Sequence, residues 1–370
     1  MTPLPSHNEA GEGKPALVVF AGLPGVGKTT LARVVAQALP APLLRIDAIE
    51  STLRTTGVLT TEEMGGTGYA VAAAVARDQL MLGQAVVIDA VNPVEPARAL
   101  WRELAESTSA RLFFIEIVCS DRAEHRRRVE TRTTDLAGGY LPTWQEVLDR
   151  RYEPWTEDRL VIDTATASVA DAAAAVARHA EAGEPRAAQA AAAYAPTVPL
   201  TLVTGVPGSG KSTVSTALAR ALCAQLLAKD VVKETLFDLH GVRDRAWSVA
   251  AGHASLEVIW SLASSCPTGP VVDVWLDPVR DAGLAQRGLA TGGIRDAVEI
   301  LCACPGEEAA SRYAARRRHP GHLPPDSVTL RRIARAAQMM EPLGVGPAIR
   351  IDTSMPIDLA ALSAWVRGQR

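Results

Sequence analysis

Two copies of one glycine-rich pattern have residue types that could hold a phosphate group. Residues 22–29 are GLPGVGKT and residues 205–212 are GVPGSGKS, so both fit Gly-x-x-x-x-Gly-Lys-Ser/Thr. In such a loop the glycines let backbone N–H groups turn inward around an anion, and the lysine can reach the β- and γ-phosphates of a nucleotide. Each copy follows a short apolar run and precedes a helical pattern. This context predicts two P-loops.

The residues predicted to bind the nucleotide occupy the same places in both copies. They are Gly22, Pro24, Gly25, Val26, Gly27, Lys28, Thr29 and Thr30, and then Gly205, Pro207, Gly208, Ser209, Gly210, Lys211, Ser212 and Thr213. The hydroxyls of Thr29 and Ser212 could each contact Mg²⁺. Apolar strands are predicted to end on Asp89 and Asp273, where a carboxylate could join that hydroxyl as a metal ligand. The alternative for both acids is a turn residue at the end of a strand.

A second pair of acids, Asp47 and Asp230, ends the second predicted strand of each copy. In a parallel sheet such residues lie beyond the carboxyl ends of the strands, where ligands bind. A carboxylate there could face the γ-phosphate and accept a proton from an attacking hydroxyl, or hold the water shell of Mg²⁺. The alternative is a helix N-cap, for which Asp is a favoured residue.

Arginine-rich helices are predicted over 121–131 and 306–318, each followed by a glycine-containing loop. We aligned Arg127 with Arg312, and Arg132 with Arg317, because the same spacing separates both pairs. A guanidinium group can neutralise the charge that moves onto oxygen during phosphoryl transfer. These segments therefore resemble lids over a nucleotide. The alternative is a solvated basic face, to which we assign Arg126 and Arg128.

The chain as a whole has the composition of a globular protein. It has 370 residues, 48% of them hydrophobic, and a net charge of −3. The negative net charge argues against binding of nucleic acid through overall positive charge, but a local basic channel remains an alternative. The sequence has no apolar run long enough to span a membrane. Its five scattered cysteines lack the spacing of metal ligands, so we expect reduced thiols and a cytoplasmic protein.

Strands alternate with helical patterns along both halves, which predicts the α/β class with parallel sheets covered on both faces. The distance from Gly22 to Gly205 equals that from Asp47 to Asp230, as a duplication requires. We predict domains over 14–181 and 198–370, joined by a linker over 182–197, and we expect the two halves to be thermodynamically separable. From here on, repeat one and repeat two denote these two halves.

Together these motifs resemble the small P-loop kinases, and more narrowly the group that contains chloramphenicol phosphotransferase, zeta-toxin kinases and polynucleotide 5′-kinase. The resemblance covers both halves and implies two tandem P-loop NTPase domains, each with a five-stranded sheet in the order 2-3-1-4-5. It also implies ATP with Mg²⁺ as the phosphate donor, a hydroxyl as the acceptor, and Asp47 and Asp230 as catalytic acids. The family often has a basic residue three positions after this acid. Repeat two keeps it as Lys233, whereas repeat one has Glu50.

The predicted function is a tandem kinase that acts on small-molecule hydroxyls. The residues expected to contact the acceptors are Glu50, Arg54, Tyr69 and Asn92 in repeat one, and Lys233, His253 and Trp275 in repeat two. A nucleic-acid or nucleotide end kinase is an alternative, which the low aromatic content of 4% disfavours. A second alternative is an ATP-binding regulatory protein in which one domain does not transfer phosphate. The sequence leaves the oligomeric state open.

Overall fold

The computed structural model describes residues 13–136, 138–181, 199–266, 269–278 and 281–369. The predicted linker, 182–197, lies outside these residues. Repeat one contains strands β1 (Ala16–Ala21), β2 (Leu43–Arg45), β3 (Val86–Asp89), β4 (Arg111–Val118) and β5 (Leu160–Asp163). Its helices are α1 (Lys28–Ala38), α2 (Ile46–Thr55), α3 (Thr61–Met64), α4 (Thr67–Met81), α5 (Glu95–Thr108), α6 (Arg122–Thr131), α7 (Trp144–Leu148) and α8 (Val169–Glu181).

Repeat two follows the same order of elements. Its strands are β6 (Leu200–Thr204), β7 (Leu226–Ala228), β8 (Val271–Asp273), β9 (Ala297–Ala303) and β10 (Ala348–Asp352). Its helices are α9 (Lys211–Leu222), α10 (Lys229–His240), α11 (Arg245–Ala263), α12 (Ala282–Thr291), α13 (Gly306–Ala315), α14 (Ser327–Met339) and α15 (Leu359–Gly368). Within the residues described, no helix is both long and apolar enough to cross a membrane.

Each repeat forms one parallel five-stranded sheet. The orders are β2-β3-β1-β4-β5 and β7-β8-β6-β9-β10, which is the predicted order in both cases. The register pairs Phe20 with Asp89 and Val203 with Asp273, so both acids stand at the carboxyl end of a strand next to the first strand of their sheet. The predicted fold class is therefore confirmed, and its topology brings the P-loop and the acid to one edge.

The first strand of each sheet is central and its side chains are buried on both faces. Strands β1 and β6 consist of buried residues throughout, and their sequences, ALVVFA and LTLVT, are rich in β-branched residues. Such continuous apolar runs are typical of strands in a parallel sheet that helices cover on both sides. A central position fixes the loop that follows each strand, and this is the loop that carries the glycine pattern.

The two repeats share one apolar core, in addition to the clusters of buried side chains that each repeat has of its own. A single cluster of buried side chains contains Leu44 and Ile49 of repeat one together with Val232, Leu236 and Trp260 of repeat two. Helix α2 packs against α11, and α4 packs against α10, so the helices that follow the second strands lie against the opposite repeat. This shared core does not agree with the expectation of separable halves, because separation would expose it to water.

Polar contacts cross the same interface. The amide of the fully buried Gln79 donates to the backbone oxygen of Leu226 and accepts from its backbone nitrogen at 3.0 Å. Trp247 donates to the backbone oxygen of Val58 at 3.3 Å. At the rim, Arg243 forms an ion pair with Glu63. Gln79 thus provides hydrogen-bond partners for the backbone N–H and C=O groups of Leu226, which face away from the sheet on edge strand β7.

Candidate active site

The two P-loops have the backbone geometry that the sequence predicts. Gly22 and Gly205 have φ values of 132° and 149°, which side-chain-bearing residues rarely adopt. A Cβ atom on Gly22 would lie 2.2 Å from the backbone oxygen of Ile117, and one on Gly205 would lie 2.6 Å from that of Cys302. Only glycine therefore lets each loop rest on the neighbouring strand. Helices α1 and α9 begin directly after the loops, so their N-terminal N–H groups point towards a bound anion.

The P-loop lysine of repeat one lies among carboxylates. Lys28 is buried and its Nζ donates to the backbone oxygen of Leu23 at 2.9 Å. Burial lowers the pKa of Lys28, while Asp89 and Asp47 act in the opposite direction. These interactions place Asp47, in the first turn of α2, and Asp89, at the end of β3, around one ammonium group. In repeat two, the charge of Lys211 likewise acts to lower the pKa of Asp230 and the pKa of Asp273.

A hydroxyl–carboxylate pair stands beside each lysine. Thr29 Oγ1 donates to Asp89 Oδ2 at 2.6 Å, and Ser212 forms the corresponding hydrogen bond with Asp273. Burial raises the pKa of both acids, and the lysine and the hydroxyl oppose this rise. The Oδ1 atom of Asp273 is buried without a hydrogen-bond partner. Oxygen donors of this kind suit Mg²⁺, and an unpartnered carboxylate oxygen fits such a ligand.

The lid arginines require a correction to the predicted alignment. Arg127 is 63% exposed and both of its bonded nitrogens donate to Glu124 on its own helix. Arg128, which the sequence left on the solvated face, donates instead to Thr164 Oγ1 at 2.8 Å. Thr164 in turn donates to the P-loop oxygen of Val26 at 2.8 Å. Arg128 therefore braces the P-loop from the lid helix, and Arg127 points away from it.

Repeat two repeats this bracing arrangement one residue away from the predicted alignment. Arg312 donates to the backbone oxygen of Thr353 at 3.1 Å, and Thr353 Oγ1 donates to the P-loop oxygen of Ser209 at 2.6 Å. Arg312 is thus the counterpart of Arg128, not of Arg127. The spacing that separates Asp89 from Asp273 also separates these two arginines, and it was the signal that could have found them.

The second pair of lid arginines shifts in the same way. Arg132 follows the last residue of α6 and acts on the pKa of Lys28, so it faces the nucleotide side. Arg316 follows the last residue of α13 and acts on the pKa of Asp273. The counterpart of Arg132 is therefore Arg316 and not the predicted Arg317, although both of these residues are exposed.

The two lids are held by different polar contacts. After α6, Asp135 accepts hydrogen bonds from Arg45 at 2.9 and 3.2 Å and also from Arg33. Partial burial acts to raise the pKa of Asp135, but these guanidinium groups lower it to about 2. After α13, His319 bonds Asp238 at 2.9 Å. The lid of repeat two therefore touches the helix that bears Asp230, whereas the lid of repeat one touches strand β2 and helix α1.

The acceptor side of repeat one centres on two carboxylates in the first turns of α2. Asp47 is exposed, and Glu50 is partly buried one turn later. Burial and the charge of Asp47 raise the pKa of Glu50 to about 7, while Arg54 and Arg150 oppose the rise. A Cβ atom on Gly68 would lie 2.5 Å from Glu50 Cγ, so this helix glycine makes room for the Glu50 side chain.

Two further predicted acceptor residues of repeat one are tied into its scaffold. Asn92 is fully buried; its Nδ2 donates to the Phe20 backbone oxygen at 2.9 Å and its Oδ1 accepts from Trp101 at 2.8 Å. Since both ends of the amide are used, we withdraw Asn92 from the proposed acceptor contacts. Tyr69 accepts from the Asn92 backbone nitrogen at 3.1 Å, and its pKa, raised mainly by burial, also responds to Glu50 and Asp47. Tyr69 therefore remains at the pocket.

The acceptor side of repeat two is surrounded by cations. Asp230 lies in the first turn of α10, and Arg318 approaches its carboxylate at 3.9 Å. Burial acts to raise the pKa of Asp230, but Lys211, Lys229 and Arg318, together with His322, hold it below its usual value. Sequence reasoning found Lys233 here but missed Lys229 and Arg318. His322, from the lid, bonds Glu234 at 2.6 Å.

The other two predicted acceptor residues of repeat two lie on neighbouring elements. His253 is exposed on α11, directly after the buried Gly252. Trp275 stands two residues after Asp273, and its indole Nε1 is a buried donor without a hydrogen-bond partner. An orphaned donor next to a strand end is consistent with the predicted position at a ligand pocket.

Comparisons with known proteins follow the division into repeats. A family model described as an AAA domain matches residues 17–152 and again residues 200–343. None of the curated proteins matches the chain. The family match falls on each repeat separately, which confirms the predicted tandem duplication of a small P-loop domain.

Solved structures resemble about half of the chain at a time. A "putative kinase" from Chloroflexus aurantiacus has 27% identity, covering 47% of this chain and 99% of its own, with a TM-score of 0.41. A gluconokinase from Sinorhizobium meliloti has 24% identity, covering 46% and 95%, with a TM-score of 0.33. The APS kinase of Mycobacterium tuberculosis has 20% identity, covering 44% and 96%, with a TM-score of 0.35.

Proposed function

The chain belongs to the AAA domain family through both of its repeats, and we propose that it is a tandem ATP-dependent kinase. Each repeat would transfer the γ-phosphate of ATP to a hydroxyl of a small-molecule acceptor. One observation carries the proposal: a P-loop lysine, a hydroxyl–carboxylate pair and a helix-borne acid meet at the same edge of each sheet. Nucleotide binding alone needs the first two, whereas the acid adds a proton acceptor.

The donor half of the mechanism uses the P-loop and the residues that brace it. Backbone N–H groups of the loop and of the helix N-terminus hold the phosphates, and Lys28 or Lys211 neutralises the β- and γ-oxygens. Thr29 with Asp89, and Ser212 with Asp273, would hold Mg²⁺, whose charge offsets the negative charge that develops on the phosphates.

The acceptor half uses the acid in the first turn of α2 or α10. Asp47 or Asp230 would accept the proton of the acceptor hydroxyl as its oxygen attacks the γ-phosphorus. In repeat two the carboxylate stays ionised because the surrounding cations hold its pKa low, which keeps it ready to take a proton. Arg132 and Arg316, at the lid side, would stabilise the charge of the transferring group.

The test is a screen for phosphorylated products with the full chain. The protein is incubated with ATP, Mg²⁺ and a metabolite mixture, and mass spectrometry detects any compound that gains one phosphoryl group. We expect such a product, and we expect its loss in the double variant Lys28→Ala/Lys211→Ala. Lys14→Ala removes an exposed lysine outside both P-loops and is the matched control, which should retain activity.

Two results would contradict the proposal. Product that still forms in the double variant would mean that the P-loops do not donate the phosphate. ATP binding at both sites without transfer to any acceptor would instead favour the regulatory alternative.

A further inference from the structure

Three cationic side chains converge beside the catalytic acid of repeat two. A point at the Cβ position of Gly252 would lie 3.6 Å from Lys233 Nζ and 3.8 Å from Lys229 Nζ, so both ammonium groups reach the same place on the pocket wall. Arg318 adds a guanidinium group from the lid side, 3.9 Å from Asp230 Oδ2. Asp230 is the carboxylate that these three groups share.

The neighbouring charges leave this cluster positive. Glu234 is engaged by His322 at 2.6 Å, and Asp238 by His319 at 2.9 Å. Burial lowers the pKa of Lys233, and Lys229 and Arg318 lower it further by repulsion, with only Asp230 opposing them. Lys233 and Arg318 therefore already outnumber Asp230, the one carboxylate that both of them face.

Arg318 gives a second, independent indication of a ligand. Its Nε is buried and has no hydrogen-bond partner, and its distance from Asp230 is too long for a hydrogen bond. The guanidinium group is oriented by the ring of Tyr313, with the Arg318 Cζ 4.6 Å from the ring centroid. A partly buried arginine with unused donors fits a planar anion such as a carboxylate, or a phosphate.

Repeat one has none of these three cations at the matching positions. The spacing between Asp47 and Asp230 places Ile46 opposite Lys229, and Glu50 opposite Lys233. The spacing between Arg128 and Arg312 places Thr134 opposite Arg318. Glu50 carries or shares a proton near neutrality because burial and Asp47 raise its pKa to about 7. Arg54 and Arg150 also act on Glu50, but they come from other positions, so repeat one does not repeat the cation cluster that faces Asp230.

We propose that repeat two takes an acceptor that carries a carboxylate or phosphate group, bound by Lys229, Lys233 and Arg318. The inference rests on the proposed kinase function. In repeat two the acceptor hydroxyl gives its proton to Asp230, and its oxygen forms the new bond to the γ-phosphorus of ATP. The bond from that phosphorus to the β–γ bridging oxygen breaks, and ADP leaves with the bond's electron pair.

The test measures binding of three compounds that share a three-carbon skeleton: D-glycerate, sn-glycerol 3-phosphate and glycerol. The full chain is first saturated with AMPPNP and Mg²⁺ so that anions cannot occupy the P-loops, and binding is followed by calorimetry. We expect one saturable site per chain for D-glycerate or for glycerol 3-phosphate, and the stronger of the two identifies the anionic group. Glycerol should not compete for that site.

Charge variants then locate the site. Lys233→Gln should weaken anion binding about tenfold or more, the scale of one lost charge-assisted contact. Lys233→Arg should restore most of it, which a merely structural role for Lys233 would not explain, and Arg318→Met should weaken it as well. Lys14→Gln, the exposed control, should bind like the wild type. Thermal melts confirm that each variant is folded.

The outcomes separate this inference from the proposed function. No saturable anion site, equal binding of glycerol, or unchanged binding in folded Lys233→Gln and Arg318→Met would overturn the anionic acceptor. Anion binding at the expected site without phosphate transfer from ATP would leave it standing and would count against the kinase. Phosphate transfer to neutral compounds alone would overturn the anionic acceptor and would support the kinase function.

Discussion

The strongest test of the inter-repeat contact is the substitution Gln79→Met. Methionine keeps the volume and the helix propensity of glutamine, so the change removes hydrogen bonds with little effect on packing. Gln79 is fully buried, and its amide satisfies both the backbone nitrogen and the backbone oxygen of Leu226. Leu226 lies on edge strand β7, so no further strand can replace the lost partner.

The magnitude follows from the two groups that are left unsatisfied. A buried donor or acceptor without a partner costs roughly 1–3 kcal/mol. Losing the partner of both Leu226 groups should therefore lower the free energy of unfolding by about 2 kcal/mol or more. Gln79→Glu should cost more, because a carboxylate would face the Leu226 oxygen and bring a buried charge. The backbone groups that lose their hydrogen-bond partner belong to repeat two, although the substitution is in repeat one.

Equilibrium urea unfolding of the full chain, followed by circular dichroism and tryptophan fluorescence, measures this loss. Gln37→Met is the matched control, because Gln37 is exposed on α1 and should change stability by only about 0.5 kcal/mol or less. If Gln79→Met behaves like this control, the repeats do not associate through α4 and β7 as described, and the expectation of separable halves stands.

The remaining predictions concern chemistry, pH and chain division. Asp47→Asn and Asp230→Asn should each lower turnover in their own repeat by ~10²-fold or more, with AMPPNP binding unchanged in calorimetry; unchanged turnover in both would leave these acids as helix-end residues. Because Glu50 has a pKa of about 7 when folded and a usual value of 4.5, the unfolded chain ionises first and stability falls as pH rises between these values. The melting temperature of Glu50→Gln, relative to wild type, should therefore rise from about pH 5 to about pH 8, and a constant difference would contradict the raised pKa. Cutting the chain at about residue 190 should give halves that aggregate, because the core shared by α2, α4, α10 and α11 is exposed; two soluble, cooperatively folded halves would contradict the shared core.

The sequence predicted the sheets well because their signals are local. Buried parallel strands are continuous apolar runs, and each P-loop marks the end of a first strand. It predicted the helices of repeat two less well. The sequence pattern predicts a helix over 252–264, whereas α11 begins at Arg245. The side chain of Asp244 accepts from the Trp247 backbone nitrogen there, a capping signal that the alanine-rich pattern after it obscured.

The residues of the candidate site show the same difference between local motifs and helix ends. Residues set by the glycine motif were found, since a motif fixes their positions relative to one another. Residues that follow a helix end, such as Arg316 and Arg318, depend on where the helix stops, and the sequence extended this one to 318 instead of Ala315. The contact between the repeats was not predicted, because each apolar helix face could equally have covered its own sheet.

The backbone limits how far the two repeats can diverge at the P-loop glycines. A side chain at Gly22 or Gly205 would collide with the backbone of the next strand, so a change there would disturb the sheet as well as the nucleotide site. Glu50 and Lys233 stand on partly exposed helix faces, where a change of charge costs little stability. The same fold can therefore keep the P-loop in duplicate while the residue three positions after the acid changes from Glu50 to Lys233. Because the helices that carry these charges also form the inter-repeat core, each acceptor pocket has the other repeat behind it, and the duplication works as one folded unit.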